Sequence, residues 1–209
     1  MKIDPVIFEE GKKLPIVEEF YTLQGEGYFM GKAAYFIRIG GCDIGCAWCD
    51  TKFSWDPSVH PVIAVEKVIE NIIACKAVAA VITGGEPLMY NLDHLCLQLK
   101  EKGIETFIET SGAFPLSGIW DWICLSPKMQ QPPLDEIYTL ANELKVIIAK
   151  PSDINWAERN ARLVEKSCKL YLQPEWSVFD KIIPDIIDFV KSNPAWSVSL
   201  QAHKFMHIP

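Results

Sequence analysis

Strand-like and helix-like segments alternate along most of the chain, and this alternation limits the possible folds more than any other feature. Seven segments have the length and apolar pattern of strands: residues 35–39, 79–83, 104–109, 120–125, 143–148, 169–172 and 197–200. Five segments have helical spacing: residues 65–77, 92–102, 135–141, 154–165 and 178–191. We expect Pro184 to end or kink the last helix near Ile183, because proline removes a helical hydrogen bond. Residues 53–62 are rich in turn formers and give no structural prediction.

This alternation predicts an α/β protein, because parallel strands need crossovers and helices supply them. Seven strands are too few for the usual eight-stranded barrel, so we expect a partial, open βα barrel of about six to seven mostly parallel strands. A doubly wound open sheet, with helices on both faces, is the alternative. The sequence shows no repeat and no flexible linker, which predicts one domain over residues 1–209.

Charge and hydropathy exclude two classes of function. The formal net charge of -7 argues against nonspecific nucleic-acid binding, which needs a basic surface to displace counterions from phosphates. No apolar run reaches the ~18 residues of a membrane span, and the N-terminus does not have the pattern of a secretory signal. We therefore expect a cytoplasmic protein with reduced cysteines and a small-molecule ligand.

Three of the seven cysteines, Cys42, Cys46 and Cys49, form a C-x3-C-x2-C cluster on the loop after the first predicted strand. In a reducing compartment such a cluster indicates a metal site. A structural zinc site normally has four protein ligands, and the fourth would have to be a distant residue such as His60. An iron-sulfur cluster with three thiolates leaves one iron open for chemistry. The other cysteines are interpreted as buried apolar residues: Cys75, Cys96, Cys124 and Cys168.

Polar motifs follow three further predicted strands. Thr83-Gly84-Gly85-Glu86-Pro87 follows the second strand, Glu109-Thr110-Ser111-Gly112 the third, and Ser126-Pro127-Lys128 the fourth. Each motif alone is more typical of a turn or a cap. Because the carboxyl ends of parallel strands meet at one end of a barrel, we expect these motifs and the cysteine loop to form one site.

The cysteine spacing resembles the signature of the radical S-adenosylmethionine superfamily, and residues 83–87 are similar to its GGEP motif. The resemblance implies a 4Fe-4S cluster on the three cysteines, whose open iron is chelated by S-adenosylmethionine. It also implies that the reduced cluster cleaves this cofactor to a 5′-deoxyadenosyl radical, so no side chain acts as a nucleophile. The implied cofactor-binding residues are Trp48, Cys49, Asp50, Gly85, Glu86, Ser126, Pro127, Lys128 and Gln173.

A narrower resemblance rests on Tyr21-Thr22-Leu23-Gln24-Gly25-Glu26-Gly27, on Arg38 and on Cys49-Asp50-Thr51. These segments are similar to the 7-carboxy-7-deazaguanine synthase family. The resemblance implies a lyase that contracts the ring of 6-carboxy-5,6,7,8-tetrahydropterin to 7-carboxy-7-deazaguanine with loss of ammonia, in queuosine biosynthesis. It further implies Mg²⁺ on Thr51, a flavodoxin or ferredoxin as electron donor, and a homodimer. The implied substrate-binding residues are Leu23, Gln24, Gly25, Arg38, Thr83 and Pro209.

Several of these assignments have alternatives. A buried Arg38 could simply form an ion pair with a carboxylate, and Thr51 could cap the segment after the cysteines. His203 and His207 are interpreted as structural residues rather than metal ligands. For the whole chain, the alternatives are a radical enzyme that activates a glycyl-radical partner and a noncatalytic metal-binding module.

Overall fold

The computed structural model describes residues 8–209, which form one open sheet of nine strands together with six α-helices. The strands are β1 (Lys13–Leu23), β2 (Ala33–Ile39), β3 (Val62–Ala64), β4 (Ala79–Gly84), β5 (Glu105–Thr110), β6 (Trp122–Leu125), β7 (Glu143–Ile148), β8 (Lys169–Pro174) and β9 (Trp196–Val198). The helices are α1 (Val65–Ala74), α2 (Asp93–Glu101), α3 (Asp135–Leu140), α4 (Asp153–Ala161), α5 (Phe179–Ser192) and α6 (Ala202–Met206). No helix in this part of the chain is long and apolar enough to cross a membrane.

The strand order is β3-β1-β2-β4-β5-β6-β7-β8-β9, and the seven strands from β2 to β9 in this order are all parallel. These seven are the strands that the sequence predicts, so the partial, open βα architecture is confirmed. The strand count is higher than expected because β1 and β3 extend the sheet on the β2 side. Both pairings of β1, with β2 and with β3, are antiparallel.

Helices α1 to α5 all pack against one face of the sheet. They form a single apolar core with residues that alternate along the strands, such as Ile37 and Ile39 of β2 and Leu144 and Val146 of β7. A doubly wound sheet would carry helices on both faces, so that alternative is wrong. The opposite, inner face carries a small apolar cluster: Ala34, Ala79, Val81 and Phe107. Polar residues occupy the carboxyl ends of the strands on this inner face.

One local feature differs from the expectations. Helix α5 does not end near Ile183 but continues through Pro184 to Ser192. Ile182 and Ile186, one turn apart on either side of the proline, are buried in the core, and this packing offsets the lost hydrogen bond. The segment without a prediction forms two short 3-10 turns, Lys52–Ser54 and Pro57–Val59, before β3.

Candidate active site

The carboxyl ends of the parallel strands surround an open cavity of about 270 Å³ on the inner face of the sheet. The cavity collects most of the residues that the sequence singles out, although they are scattered over the whole chain. Those that line it are Leu23, Gln24, Gly25, Arg38, Cys42, Cys46, Trp48, Cys49, Asp50, Thr51, Thr83, Gly85, Glu86, Ser126, Lys128, Gln173 and Pro209. Pro127 is buried and lies outside the lining, because alternate residues of an extended segment face opposite sides.

The cysteine loop closes one side of this cavity. Cys42, Cys46 and Cys49 all line it, and their thiols are free. Burial raises the pKa of Cys42 to about 11, so this thiol needs a bound cation to become a thiolate ligand at neutral pH. Three soft sulfur donors on one loop, facing a cavity, fit an iron-sulfur cluster with one open iron.

The glycines of the GGEP segment let β4 approach the cysteine loop closely. A Cβ atom at Gly85 would lie 2.2 Å from the carbonyl oxygen of Gly41 and 2.9 Å from the Cβ of Cys42. The backbone of the two segments is also joined directly, because the Glu86 amide donates to the Gly41 carbonyl at 2.8 Å. Only glycine at position 85 therefore permits this position of the first cluster cysteine.

The carboxylate of Glu86 is buried and fully bonded within the protein. Its Oε1 accepts bonds from the Thr110 hydroxyl (2.6 Å) and the Leu88 amide (3.1 Å). Its Oε2 accepts bonds from the amide and the hydroxyl of Ser111 (2.7 and 2.5 Å). Glu86 thus ties β4 to the end of β5, in addition to any contact with a cofactor. Thr110 and Ser111, which also line the cavity, have their structural function here.

Arg38 lies in the cavity wall and forms an ion pair at the same time. Its Nε donates to Oε1 of Glu18 at 2.7 Å, and these residues are direct partners in the β1–β2 pairing. Because a guanidinium carries five N–H donors, four remain on the two terminal nitrogens. No bond from these nitrogens to another described residue is seen, so they can bind a carboxylate in a bidentate manner. Both interpretations of Arg38 are therefore compatible with the geometry.

The loop that follows β1 is held by the C-terminal part of the chain. The Ala202 amide donates to the Gly25 carbonyl at 2.8 Å, and the Gly27 amide donates to the Ser199 hydroxyl at 3.0 Å. A Cβ atom at Gly25 would lie 2.3 Å from Nδ1 of His203. His203 itself lines the cavity, and burial lowers the pKa of its imidazole. Gly25 thus allows helix α6 to pack directly on this loop.

Asp50 connects the cysteine loop to helix α6. Its Oδ2 accepts bonds from Nζ of Lys204 (3.1 Å) and Nε2 of Gln201 (3.2 Å). The next residue, Thr51, begins the short turn Lys52–Ser54, yet its side chain makes no capping bond. Its hydroxyl instead lies 3.5 Å from Sγ of Cys49 and faces the cavity, where it is available as an oxygen ligand.

On the opposite wall, Lys128 covers the cysteine loop. Its Nζ donates to the carbonyl and hydroxyl oxygens of Ser126 (2.6 and 2.7 Å) and lies 5.6 Å from the centre of the Trp48 ring. Burial lowers the pKa of this ammonium group. His60, the proposed fourth ligand of a zinc site, lies outside the lining, and its Nε2 is 2.9 Å from the carbonyl oxygen of Phe53.

One lining residue, Lys145, was not singled out from the sequence, although its partners Glu26 and Glu109 belong to segments that were. The ammonium group of Lys145 lies 2.7 Å from Oε2 of Glu26 and 2.9 Å from Oε2 of Glu109. Burial alone would raise the pKa of Glu26, but Lys145 and Gln201 overcome this effect and hold it at about 2. The available signal is a lysine in the middle of an apolar strand, a position like that of Arg38 in β2.

Comparisons with known proteins place this fold and cavity in context. Residues 36–124 match the model of the Radical SAM superfamily. The matched residues include the cysteine loop and strands β4 and β5, and they place this part of the chain in the radical S-adenosylmethionine superfamily.

Full-length relatives narrow this class. The chain is 50% identical to the 7-carboxy-7-deazaguanine synthase of Flavobacterium psychrophilum, over 98% of this chain and 97% of the relative. It is 46% identical to the synthase of Synechocystis sp., over 93% of each chain. The crystal structure of QueE from Escherichia coli matches with a TM-score of 0.80 and 31% identity, covering 97% of this chain and all of that one.

The chain therefore belongs to the 7-carboxy-7-deazaguanine synthase family. Membership makes it a radical S-adenosylmethionine lyase with a 4Fe-4S cluster. The family predicted from residues 21–27, Arg38 and the cysteine loop is thus confirmed. The individual residue roles are not tested by these comparisons and are taken up as proposals.

Proposed function

We propose that this protein converts 6-carboxy-5,6,7,8-tetrahydropterin to 7-carboxy-7-deazaguanine, with residues 1–209 acting as one radical S-adenosylmethionine domain. The observation that carries the assignment of roles is the convergence of the cysteine loop, the loop after β1, Arg38 and Thr83 on one cavity. A glycyl-radical-activating enzyme would have no use for a guanidinium fork in the wall of such a cavity.

The bound cluster and S-adenosylmethionine would supply the radical that removes a hydrogen atom from the substrate. Cys42, Cys46 and Cys49 would hold the cluster, and Gly85 allows Cys42 its position. Trp48, Asp50, Ser126, Lys128 and Gln173 would surround the cofactor, as their places in the lining suggest. Gly85 and Glu86 would hold the methionyl ammonium group. Because the acceptor sites of the Glu86 carboxylate are taken by four bonds within the protein, this carboxylate would contribute its negative charge rather than a further hydrogen bond.

Substrate binding would use the opposite part of the cavity. The terminal nitrogens of Arg38 would bind the substrate carboxylate in a bidentate manner. Thr83, the direct partner of Arg38 in the β2–β4 pairing, would contact the ring system together with Leu23, Gln24 and Gly25. Pro209 would complete this wall. A pterin suits these groups because its edge alternates hydrogen-bond donors and acceptors.

Thr51 would bind Mg²⁺, and the metal ion would contact the substrate carboxylate. The hydroxyl of Thr51 supports this role because it faces the cavity and makes no capping bond. Oxygen ligands are those that Mg²⁺ prefers, and it usually keeps several waters besides one or two protein ligands. Replacement of Thr51 by Val should therefore raise the Mg²⁺ concentration needed for half-maximal activity, while the cluster stays intact.

The central test is a mass spectrum of an anaerobic reaction with reconstituted protein, reductant, S-adenosylmethionine, Mg²⁺ and 6-carboxy-5,6,7,8-tetrahydropterin. The expected product has the mass of the ring-contracted compound after loss of ammonia. If a preparation with an intact cluster gives no such product, the proposed reaction is wrong. Formation of 5′-deoxyadenosine in the same sample would then show that the chain is a radical enzyme with another substrate.

We also propose a cytoplasmic location, with a flavodoxin or ferredoxin as the electron donor and a homodimeric assembly. The location is supported by the seven free thiols, which need a reducing compartment. Dimer formation is supported by the open sheet, whose outer strands β3 and β9 leave edges that a second copy could cover. Light scattering of the purified protein tests the assembly, and reduction of the cluster by each donor tests the partner.

A further inference from the structure

Lys145 occupies an unusual position for a lysine. It lies in β7 between Leu144 and Val146, both of which are in the apolar core behind the sheet. Its own side chain points to the inner face, lines the cavity and is only 4% exposed. A buried ammonium group loses hydration and is retained only where carboxylates compensate for the loss. The groups that contact the Lys145 ammonium group therefore indicate the function of its charge.

The ammonium group of Lys145 joins two separate walls of the cavity. On one side it contacts Glu26 of the loop after β1, whose other oxygen accepts a bond from Gln201 at 3.0 Å. On the other side it contacts Glu109, near the end of β5. Burial opposes the charged form of Lys145, but the surrounding acidic groups raise its pKa well above the ordinary value, so the side chain stays cationic.

Lys145 contacts Oε2 of Glu109, so the other carboxylate oxygen, Oε1, is the one through which Glu109 can contact a ligand. Glu109 also lines the cavity, and its Oε1 has a neighbour in Nε2 of Gln24, at 3.4 Å. This contact is a long hydrogen bond. Because each carboxylate oxygen has two acceptor sites, Oε1 can also accept a shorter bond from another donor. Two carboxylates against one ammonium group also leave a net negative charge at this point, which favours a ligand with N–H groups.

We propose that Lys145 is a positioning residue for the substrate, holding Glu109 so that its Oε1 accepts hydrogen bonds from the N–H edge of the pterin ring. The proposal rests on the proposed function, since it assumes a pterin in the cavity. The pterin's amino group and the adjacent ring N–H lie side by side, and a fixed carboxylate distinguishes this edge from one that carries only acceptors. Glu26 completes the bonding of Lys145 and ties the substrate loop to the same point.

The test is the substrate dissociation constant of the cluster-loaded protein, measured by anaerobic calorimetry with S-adenosylmethionine and Mg²⁺ but no reductant, so that no reaction occurs. Lys145→Met should weaken binding of 6-carboxy-5,6,7,8-tetrahydropterin by about tenfold to about a hundredfold, the usual effect of losing a bond to a charged group. Cluster absorbance and the affinity for S-adenosylmethionine should not change. With reductant added, KM should rise more than kcat falls.

A matched control is Lys100→Met. Lys100 also pairs with a carboxylate, that of Asp121 at 2.5 Å, but neither residue lines the cavity. Substrate affinity of this variant should stay within about twofold of the wild type, as expected for a site without contact to the ligand. An equal loss in both lysine variants would show a general effect of charge removal and would overturn the proposal.

A double variant separates positioning from a general structural role. If Lys145 acts through Glu109, Lys145→Met should have little further effect in a Glu109→Gln background, because the two changes remove one interaction. Glu109→Gln alone should weaken substrate binding about tenfold, and it decides the question if Lys145→Met does not load a cluster. Unchanged affinity in Glu109→Gln, or fully additive losses, would overturn the proposal. Failure of the proposed function is seen separately, as a wild-type protein that forms no product.

Discussion

Arg38 offers the sharpest test of how this cavity recognises its substrate. Replacement by Met keeps the unbranched apolar stem of the side chain but removes the guanidinium group. If two terminal N–H groups bind the substrate carboxylate, the loss of transition-state binding should be about 3 kcal/mol, or about 150-fold in kcat/KM. The fold should be little affected, because the partner Glu18 is 43% exposed and such pairs contribute at most about 1 kcal/mol.

The assay compares kcat/KM for three cluster-loaded proteins: the wild type, Arg38→Met and Glu18→Gln. The second variant breaks the ion pair but keeps the guanidinium group in the cavity wall, so its loss in kcat/KM should stay below about threefold. Absorbance of the cluster and the urea midpoint serve as controls for cluster loading and folding. The reasoning is refuted if Arg38→Met keeps kcat/KM within threefold of the wild type, or if Glu18→Gln loses as much as Arg38→Met.

Three further predictions concern stability and the cluster. The pKa of Glu26 is about 2 in the folded protein against an ordinary 4.5. Its ionised form therefore contributes about 3 kcal/mol to the free energy of unfolding above pH 4.5, and this contribution is lost as the pH falls toward 2. Urea titrations of cluster-free protein should show a weaker acid dependence of stability for Glu26→Gln than for the wild type. Gly27→Ala should destabilise the protein by about 2 kcal/mol more than Gly103→Ala. Both glycines have a φ near +65°, but only a Cβ atom at residue 27 would meet Glu143, at 2.0 Å. Equal urea midpoints for the two variants would contradict this prediction. Cys46→Ala should abolish the iron absorbance, which the same change at the exposed Cys75 should leave intact.

The parallel part of the fold could be predicted because each strand carries its own signal. Strands buried on both faces appear as short apolar runs, and the helices between them show helical spacing. Strand β1 has no such signal, because Pro15, Glu18 and Glu19 interrupt its apolar pattern. Strand β3 has only three residues and exists through its pairing with β1. The edge formed by these two strands depends on tertiary contacts rather than local sequence.

The site likewise has a part that local sequence predicts and a part that depends on tertiary contacts. Motifs made of consecutive residues, such as the cysteine loop and the GGEP segment, could be located because local sequence fixes their geometry. Glu18, the partner of Arg38, and Glu26, one of the two partners of Lys145, could not, since they belong to β1 and the loop that follows it. Without β1 in the predicted sheet, neither of these two carboxylates could be assigned to its cation, whereas Glu109, the second partner of Lys145, stands in a motif that the sequence places in the site.

The positions of Arg38 and Lys145 suggest a rule by which both residues can be recognised in a sequence. Arg38 and Lys145 each lie between apolar residues whose side chains enter the core, so alternation places both on the opposite, inner face of the sheet. In a sheet with helices on one face only, the inner face is where a ligand must bind. Each cation therefore predicts an acidic partner and a cavity before either is seen. For Arg38 the rule gives a carboxylate partner and a place in the cavity wall, whereas its role toward the substrate carboxylate comes from the family resemblance. For Lys145 the rule gives the carboxylates of Glu26 and Glu109.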